Sequence, residues 1–168
     1  MVSDAAPQVL ADHVTAIVAD ADAASSALCR VLGVEPPRPI RVGRMDIRTF
    51  RLGELEIHVN APTGPGPVRR HLEAHGPSLH HLALRVDDLD AFVAQLAERG
   101  LDVVGEPVET APGIREVFLD PEHTAGLWVQ LVERRGDAHD ERPELDADAL
   151  ESLTGATTRP SRDMGDPR

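Results

Sequence analysis

Four side chains able to donate a lone pair to a metal ion recur at strand-like positions: His13 in "ADHVTAIV", His58 in "LEIHVN", His81 in "SLHHLALRV" and Gln130 in "LWVQLVE". Alternate residues of a strand point to opposite faces, so each can be assigned a side by parity. His13 and Thr15 oppose Val14, Ala16 and Val18. Glu56, His58 and Asn60 oppose Leu55, Ile57 and Val59. His81, Ala83 and Arg85 oppose His80, Leu82, Leu84 and Val86, and Trp128 with Gln130 opposes Leu127, Val129 and Leu131. If the apolar sets pack against helices, His13, His58, His81 and Gln130 gather on the other face, while His80 is a structural residue on the packed side. Singly, each histidine has an ordinary reading as a hydrogen-bonded strand residue; the joint pattern is stronger, and parity alone leaves a metal site and that ordinary reading equally open. The imidazoles of such a site favour a later transition metal (Zn, Co, Ni, Mn or Fe) over Mg or Ca.

The same parity offers further chemistry. Glu116 and Phe118 oppose Val117 and Leu119, and Asp46, Arg48 and Phe50 oppose Met45 and Ile47. Glu56, Glu116 and Asp46 are candidate bases, or carboxylates that hold imidazole N–H groups. Arg48 and Arg85 suit a substrate carboxylate or phosphate, and Phe118 and Trp128 suit its apolar part. His71, His75, His123 and His139 fall in a linker, a turn and the C-terminal stretch, and take the ordinary reading.

The elements that must position these residues come in a repeated order. A strand "HVTAIVAD" is followed by a helix with an aspartate-rich start and a glycine stop, "DADAASSALCRVLG", and then by weak "PPRPIRVG" and the strands "MDIRTFRLG" and "LEIHVNAP". The second half repeats it with "HHLALRVDD", "DLDAFVAQLAERG", "LDVVGEPVE", "IREVFLDPE" and "GLWVQLVER". This predicts an N-terminal extension at 1–9 and a domain at 10–134. Within that domain, module one covers about 10–62, a linker with the short helix "VRRHLEAHG" covers 63–78, and module two covers about 79–134. Residues 135–168 have the acidic, Pro- and Gly-rich composition of a disordered tail. Within it "PELDADALESLTG" has a thin stripe of Leu145, Leu150 and Leu153, too short to hold a helix unless it docks.

Composition narrows the classes. The 168 residues are 41% hydrophobic, enough for one core, and a net charge of −12 lacks the basic footprint of a nucleic-acid groove. No apolar run is long enough for a membrane span and the N-terminus lacks the pattern of a signal peptide, so a cytoplasmic protein is expected. Cys29, the one cysteine, falls in a helical pattern and is read as a core residue.

The segments "DHV", "LGELEIHVNAP", "VRRHLEAHGPSLHHLALRVDDLDA" and "FLDPEHTAGLWVQLVE" resemble the vicinal oxygen chelate superfamily of glyoxalases, bleomycin-resistance proteins and dioxygenases, and within it the methylmalonyl-CoA epimerase-like members. The resemblance implies an α+β fold in which two βαβββ modules form a curved mixed sheet around a metal-binding cup, a homodimer, and one divalent metal. It implies ligands at His13, His58, His81 and Gln130. Two departures stand out. The position of Gln130 holds a glutamate in the epimerase-like branch, acting as ligand and as one of two acid/base carboxylates, and an amide cannot carry that proton. The partner base aligns with Arg48.

Two-base epimerisation is therefore not the expected activity. The expectation is a metal-dependent isomerase, epimerase, cyclase or lyase acting on a small chelating, enolisable carbonyl, acid or thioester, with Glu116 or Glu56 carrying the proton. A metal-independent protein that binds an antibiotic-like small molecule is the alternative. An Fe(II) dioxygenase is a further one, weakened because Gln130 stands where its triad needs a glutamate.

Overall fold

In the computed structural model, which describes residues 8–135 and 145–157, the first module is built from β1 (Leu10–Ile17), α1 (Ala21–Leu32), β2 (Ile40–Val42), β3 (Met45–Leu52) and β4 (Leu55–Pro62). After α2 (Pro67–His75) come β5 (Ser78–Arg85), α3 (Leu89–Glu98), β6 (Val103–Ala111), β7 (Ile114–Leu119), β8 (Val129–Arg134) and α4 (Ala147–Ala156). The two module helices begin with the same chemistry. Asp20 accepts hydrogen bonds from the N–H groups of Asp22 and Ala23, and Asp88 accepts one from Ala91, satisfying donors that a helix start leaves orphaned. Gly33 ends α1 at φ +68°, where a side chain would be strained, and donates to the Cys29 carbonyl.

The eight strands form one mixed sheet in the order β2-β3-β4-β1-β5-β8-β7-β6, curled into a half-barrel. Outward from the central antiparallel β1/β5 pair, each half runs first, fourth, third, second strand, with β1 parallel to β4 and β5 parallel to β8. The two βαβββ modules expected from the sequence are thus related by an approximate twofold axis between β1 and β5.

Register matches positions between the halves. Thr15 lies opposite His58 and Ala83 opposite Gln130, so His58 and Gln130 are equivalent. Likewise Thr49 faces His58 as Phe118 faces Gln130, and two residues along Ile47 is the counterpart of Glu116.

The β1/β5 ladder is interrupted twice. Its register shifts between Ala11 and His13, leaving Asp12 as an extra residue in β1, and between Thr15 and Ala16, leaving His80 as an extra residue in β5. A bulge breaks strict alternation, so neighbouring side chains can share a face. His80 is accordingly not on the helix-packed side as parity predicts. Leu79 and Leu82 are exposed on the outer face, at 73% and 39%, while His80 is buried inside with its Nδ1 at 2.8 Å from Nδ1 of His81.

Parity also misassigns β3. Met45 and Ile47 face the concave side, in one buried cluster with Ile17, Val42, Val68 and Leu72. Arg48 and Asp46 face outward, toward α1. The reason is packing: the concave wall of module one is covered by α2 and α4, so its inner side is the apolar one.

The outer face of module two buries Val86, Leu89, Leu96, Val117 and Leu131 around α3. The expected disordered tail is corrected over residues 145–157. Asp146 caps α4 by accepting from Asp148 and Ala149, Leu153 is 4% exposed, and Leu145 touches the inner clusters of both modules. The thin leucine stripe suffices because it docks inside the cup. His139 lies outside the described residues, as do the ends of the predicted extension and tail. Among the described residues no helix is long and apolar enough to cross a membrane.

Candidate metal and proton-transfer site

Each bulge presents a histidine together with the residue before it. In β1, His13 Nδ1–H donates to Asp12 Oδ1 at 2.8 Å. Asp12 is held in turn by Arg134 of β8, whose Nε and Nη2 donate to its two oxygens at 2.8 and 2.7 Å. The charge-assisted bonds from Arg134 and His13 outweigh the cost of burial and hold the Asp12 carboxyl well below the usual carboxylate range, so it remains an acceptor. Burial, reinforced by the neighbouring His58, lowers the His13 pKa to about 4. The ring is neutral near pH 7, its single proton sits on Nδ1, and Nε2 carries a lone pair.

That lone pair meets His81. The two Nε2 atoms are 3.3 Å apart, and burial with the adjacent His13, His80 and His58 keeps His81 neutral by pushing its pKa well down. Two nitrogens bound to one tetrahedral ion at about 2.0–2.1 Å are themselves about 3.3 Å apart. Beside His81 lies the amide of Gln130, which is 3% exposed; its buried Oε1 has the His81 ring as its polar neighbour and no hydrogen bond of good geometry among the described residues. A buried carbonyl oxygen without a well-aligned donor is costly, and a cation would satisfy it. Two imidazoles and this oxygen therefore fit a divalent transition metal.

His58 does not complete the set. Its ring stacks on His13 with centroids 4.1 Å apart and planes 19° from parallel, and its Nε2–H donates to Glu56 Oε2 at 3.0 Å. Among the described residues no three His, Cys, Asp or Glu side chains are arranged to hold one ion. His58, one of the four expected ligands, is paired with a carboxylate, while His13, His81 and Gln130 lie together.

The two predicted proton carriers differ. Glu56 accepts from His58 and from Arg51 Nη2 at 3.1 Å, and these partners lower its pKa to about 2 against the opposing effect of burial. It is a fixed anion that orients His58. Glu116, on the concave face of β7, is 7% exposed, and burial raises its pKa above the ordinary carboxylate value despite the attraction of Arg134 and His58. It is the group suited to exchanging a proton.

A cavity of about 1250 Å³ reaches these groups, with His81 lying behind its lining. His13, His58, Glu56, Glu116, Gln130, Arg85 and Arg134 line it, together with Leu145 and, from α4, Leu150 and Leu153. Of the two expected anion-binding arginines, Arg85 lines the cavity. Arg48 does not: it is 4% exposed on the outer side, where it donates to Asp46 and, at 2.6 Å, to Asp22 of α1. Phe118 and Trp128 are behind the site. Phe118 is fully buried and packs edge-on against His81 at 5.1 Å and Trp128 at 5.6 Å, bracing the histidine instead of facing the cavity.

Sequence reasoning missed Arg134 and the part played by Asp12. Arg134 shares the parity of Gln130 and was legible in principle; Asp12, adjacent to His13, was hidden by the bulge.

Residues 12–118 match the Glyoxalase/Bleomycin resistance protein/Dioxygenase superfamily. The chain is 28% identical to an uncharacterized protein, YqjC, of Bacillus subtilis (strain 168) over 134 residues, covering 77% of this chain and 96% of that one. It is 26% identical to the mitochondrial methylmalonyl-CoA epimerase of Bos taurus over 125 residues, 71% of each chain. The crystal structure of methylmalonyl-CoA epimerase from Mycobacterium tuberculosis superposes with a TM-score of 0.68 at 26% identity, covering 78% of this chain and 91% of that one.

Proposed function

Because the chain belongs to the glyoxalase/bleomycin resistance protein/dioxygenase superfamily, we propose that it is a metal-dependent enzyme of the vicinal oxygen chelate type, acting on a small substrate with two neighbouring oxygens and an acidic carbon-bound hydrogen. The observation that carries this reading is the convergence of two neutral imidazole nitrogens at 3.3 Å beside the buried amide of Gln130, whose Oε1 makes no hydrogen bond of good geometry among the described residues. His13, His81 and Gln130 would hold a divalent transition metal. All three are neutral ligands, so the bound ion would supply its full positive charge against oxygens of the substrate as negative charge develops there.

The rest of the chemistry falls to the chain. Glu116 takes a proton from a carbon beside a substrate carbonyl and returns it, its burial making it more basic than an ordinary carboxylate. Arg85 orients an anionic end of the substrate, Glu56 and His58 form part of one wall, and Leu150 and Leu153 of α4 add apolar lining. Two-sided epimerisation of methylmalonyl-CoA needs a second proton carrier. Gln130 is an amide, the counterpart of Glu116 in module one is Ile47, and Glu56 is held as an anion. A single-carrier isomerisation, cyclisation or elimination of a carbonyl compound, acid or thioester is the better fit.

The test combines elemental analysis of the purified protein with deuterium exchange from D2O into enolisable probes, methylmalonyl-CoA among them. About one transition metal per chain and exchange abolished in Glu116→Gln are expected. Exchange undiminished in that variant would remove Glu116 from the mechanism. The competing reading, metal-independent small-molecule binding, is favoured by the leucine-lined cavity. Ligand binding that survives EDTA in protein with no metal would establish it in place of the enzyme.

A further inference from the structure

The anchors of the two bulge histidines differ, and the difference reaches the C-terminal helix. His13 is anchored by Asp12, which Arg134 holds within the sheet. At the equivalent position His81 is anchored by another imidazole, His80, whose proton could sit on either nitrogen. What decides is Thr157, at the end of α4, with its Oγ1 at 3.3 Å from His80 Nε2. The Thr157 hydroxyl has one hydrogen and gives it to the Thr154 carbonyl at 2.8 Å. It can then only accept from His80, which places the His80 proton on Nε2. His80 Nδ1 is left as an acceptor and takes the Nδ1–H of His81 at 2.8 Å. The lone pair of His81 is thereby turned onto Nε2, where it opposes the lone pair of His13 across 3.3 Å, a repulsion that a cation between the two nitrogens would relieve. His80 and Thr157 are 8% exposed each, so water does not compete for these bonds.

We infer that Thr157 and His80 are positioning residues through which docking of the C-terminal helix sets the tautomer of His81 and its readiness to bind a ligand. The role of His81 as a metal ligand rests on the proposed function above; the tautomer chain does not. The helix that helps line the cavity and the nitrogen that would hold the ion are thus parts of one hydrogen-bonded chain.

The test reads tautomers directly in the metal-free full chain, labelled with ¹⁵N-histidine, by long-range ¹H–¹⁵N correlation. His80 is expected protonated on Nε2 and His81 on Nδ1. Thr157→Val, nearly isosteric with the native residue, should leave both rings as tautomer mixtures, while Thr157→Ser should retain the native pattern. His80→Asp copies the anchor of module one, so in that background Thr157→Val should no longer affect His81. In competition with a chelator, Co²⁺ affinity should fall about 10-fold in Thr157→Val and recover in Thr157→Ser, the scale usual for partners of a metal ligand. His81 protonated on Nε2 in the native chain, or tautomers unmoved by Thr157→Val, would overturn the inference. A native chain with these tautomers that takes up no Co²⁺ would overturn the metal reading and leave the positioning chain standing.

Discussion

His13 and His81 come from different halves of the chain and face each other through Nε2 at 3.3 Å, each with its Nδ1 bonded to the side chain immediately before it. Two bulges related by the pseudo-twofold axis make this possible, since in an unbroken strand the preceding residue would point the other way. The arrangement differs from the four-ligand set implied by resemblance, and the difference is measurable. His13→Ala and His81→Ala should each abolish metal uptake in elemental analysis, whereas His58→Ala should retain about one ion per chain. An empty His58→Ala protein would mean that His58 leaves Glu56 to bind the ion.

Glu116 gives a stability effect with a definite sign. Its pKa is raised in the folded protein, so the native state binds the proton more tightly than the unfolded chain and loses stability as pH rises past the unfolded value. Glu116→Gln cannot ionise. It should unfold at a higher temperature than the native chain at pH 7, and the two should converge below about pH 4, where the carboxyl is protonated in both states. A lower melting temperature at pH 7 would show that the carboxylate is satisfied as an anion.

The Asp12–Arg134 pair has the opposite sign. The Asp12 pKa is depressed, so the pair stabilises the fold above the unfolded aspartate value and the contribution is lost as pH falls. Arg134→Leu leaves a buried carboxylate without its partner, a change that costs about 3–5 kcal/mol. Urea unfolding at pH 7 should show that loss, and a smaller one near pH 4, where Asp12 of the variant can take up a proton.

Docking of α4 depends on few side chains, of which Leu153 is the most buried. Leu153→Ala should cost about 2 kcal/mol or more. Hydrogen exchange should locate the effect: amides of 147–156 should exchange roughly 30-fold faster, following the same free energy, while β1, β5 and β8 keep their protection. Equal loss across the sheet would mean that the helix and the cup unfold as one unit.

Much of this protein is legible in the chain itself. Repeated strand and helix signals, with Asp20 and Asp88 as matching caps, determine the duplicated modules, and alternation in unbroken strands determines that His58, Gln130 and Glu116 face the concave side. What remained depended on partners that alternation does not contain. A bulge arises from pairing between strands, so the inward turn of His80 and Asp12 appears only once β1 and β5 are set against each other. Arg48 faces outward because Thr49, not Arg48, is in register with His58, and because α2 and α4 make the inner wall of module one apolar. The leucine stripe at 145–153 is too sparse to hold a helix alone; only the cavity it lines makes it one. Local residue types determined which groups are present to do chemistry, and long-range pairing decided which of them meet.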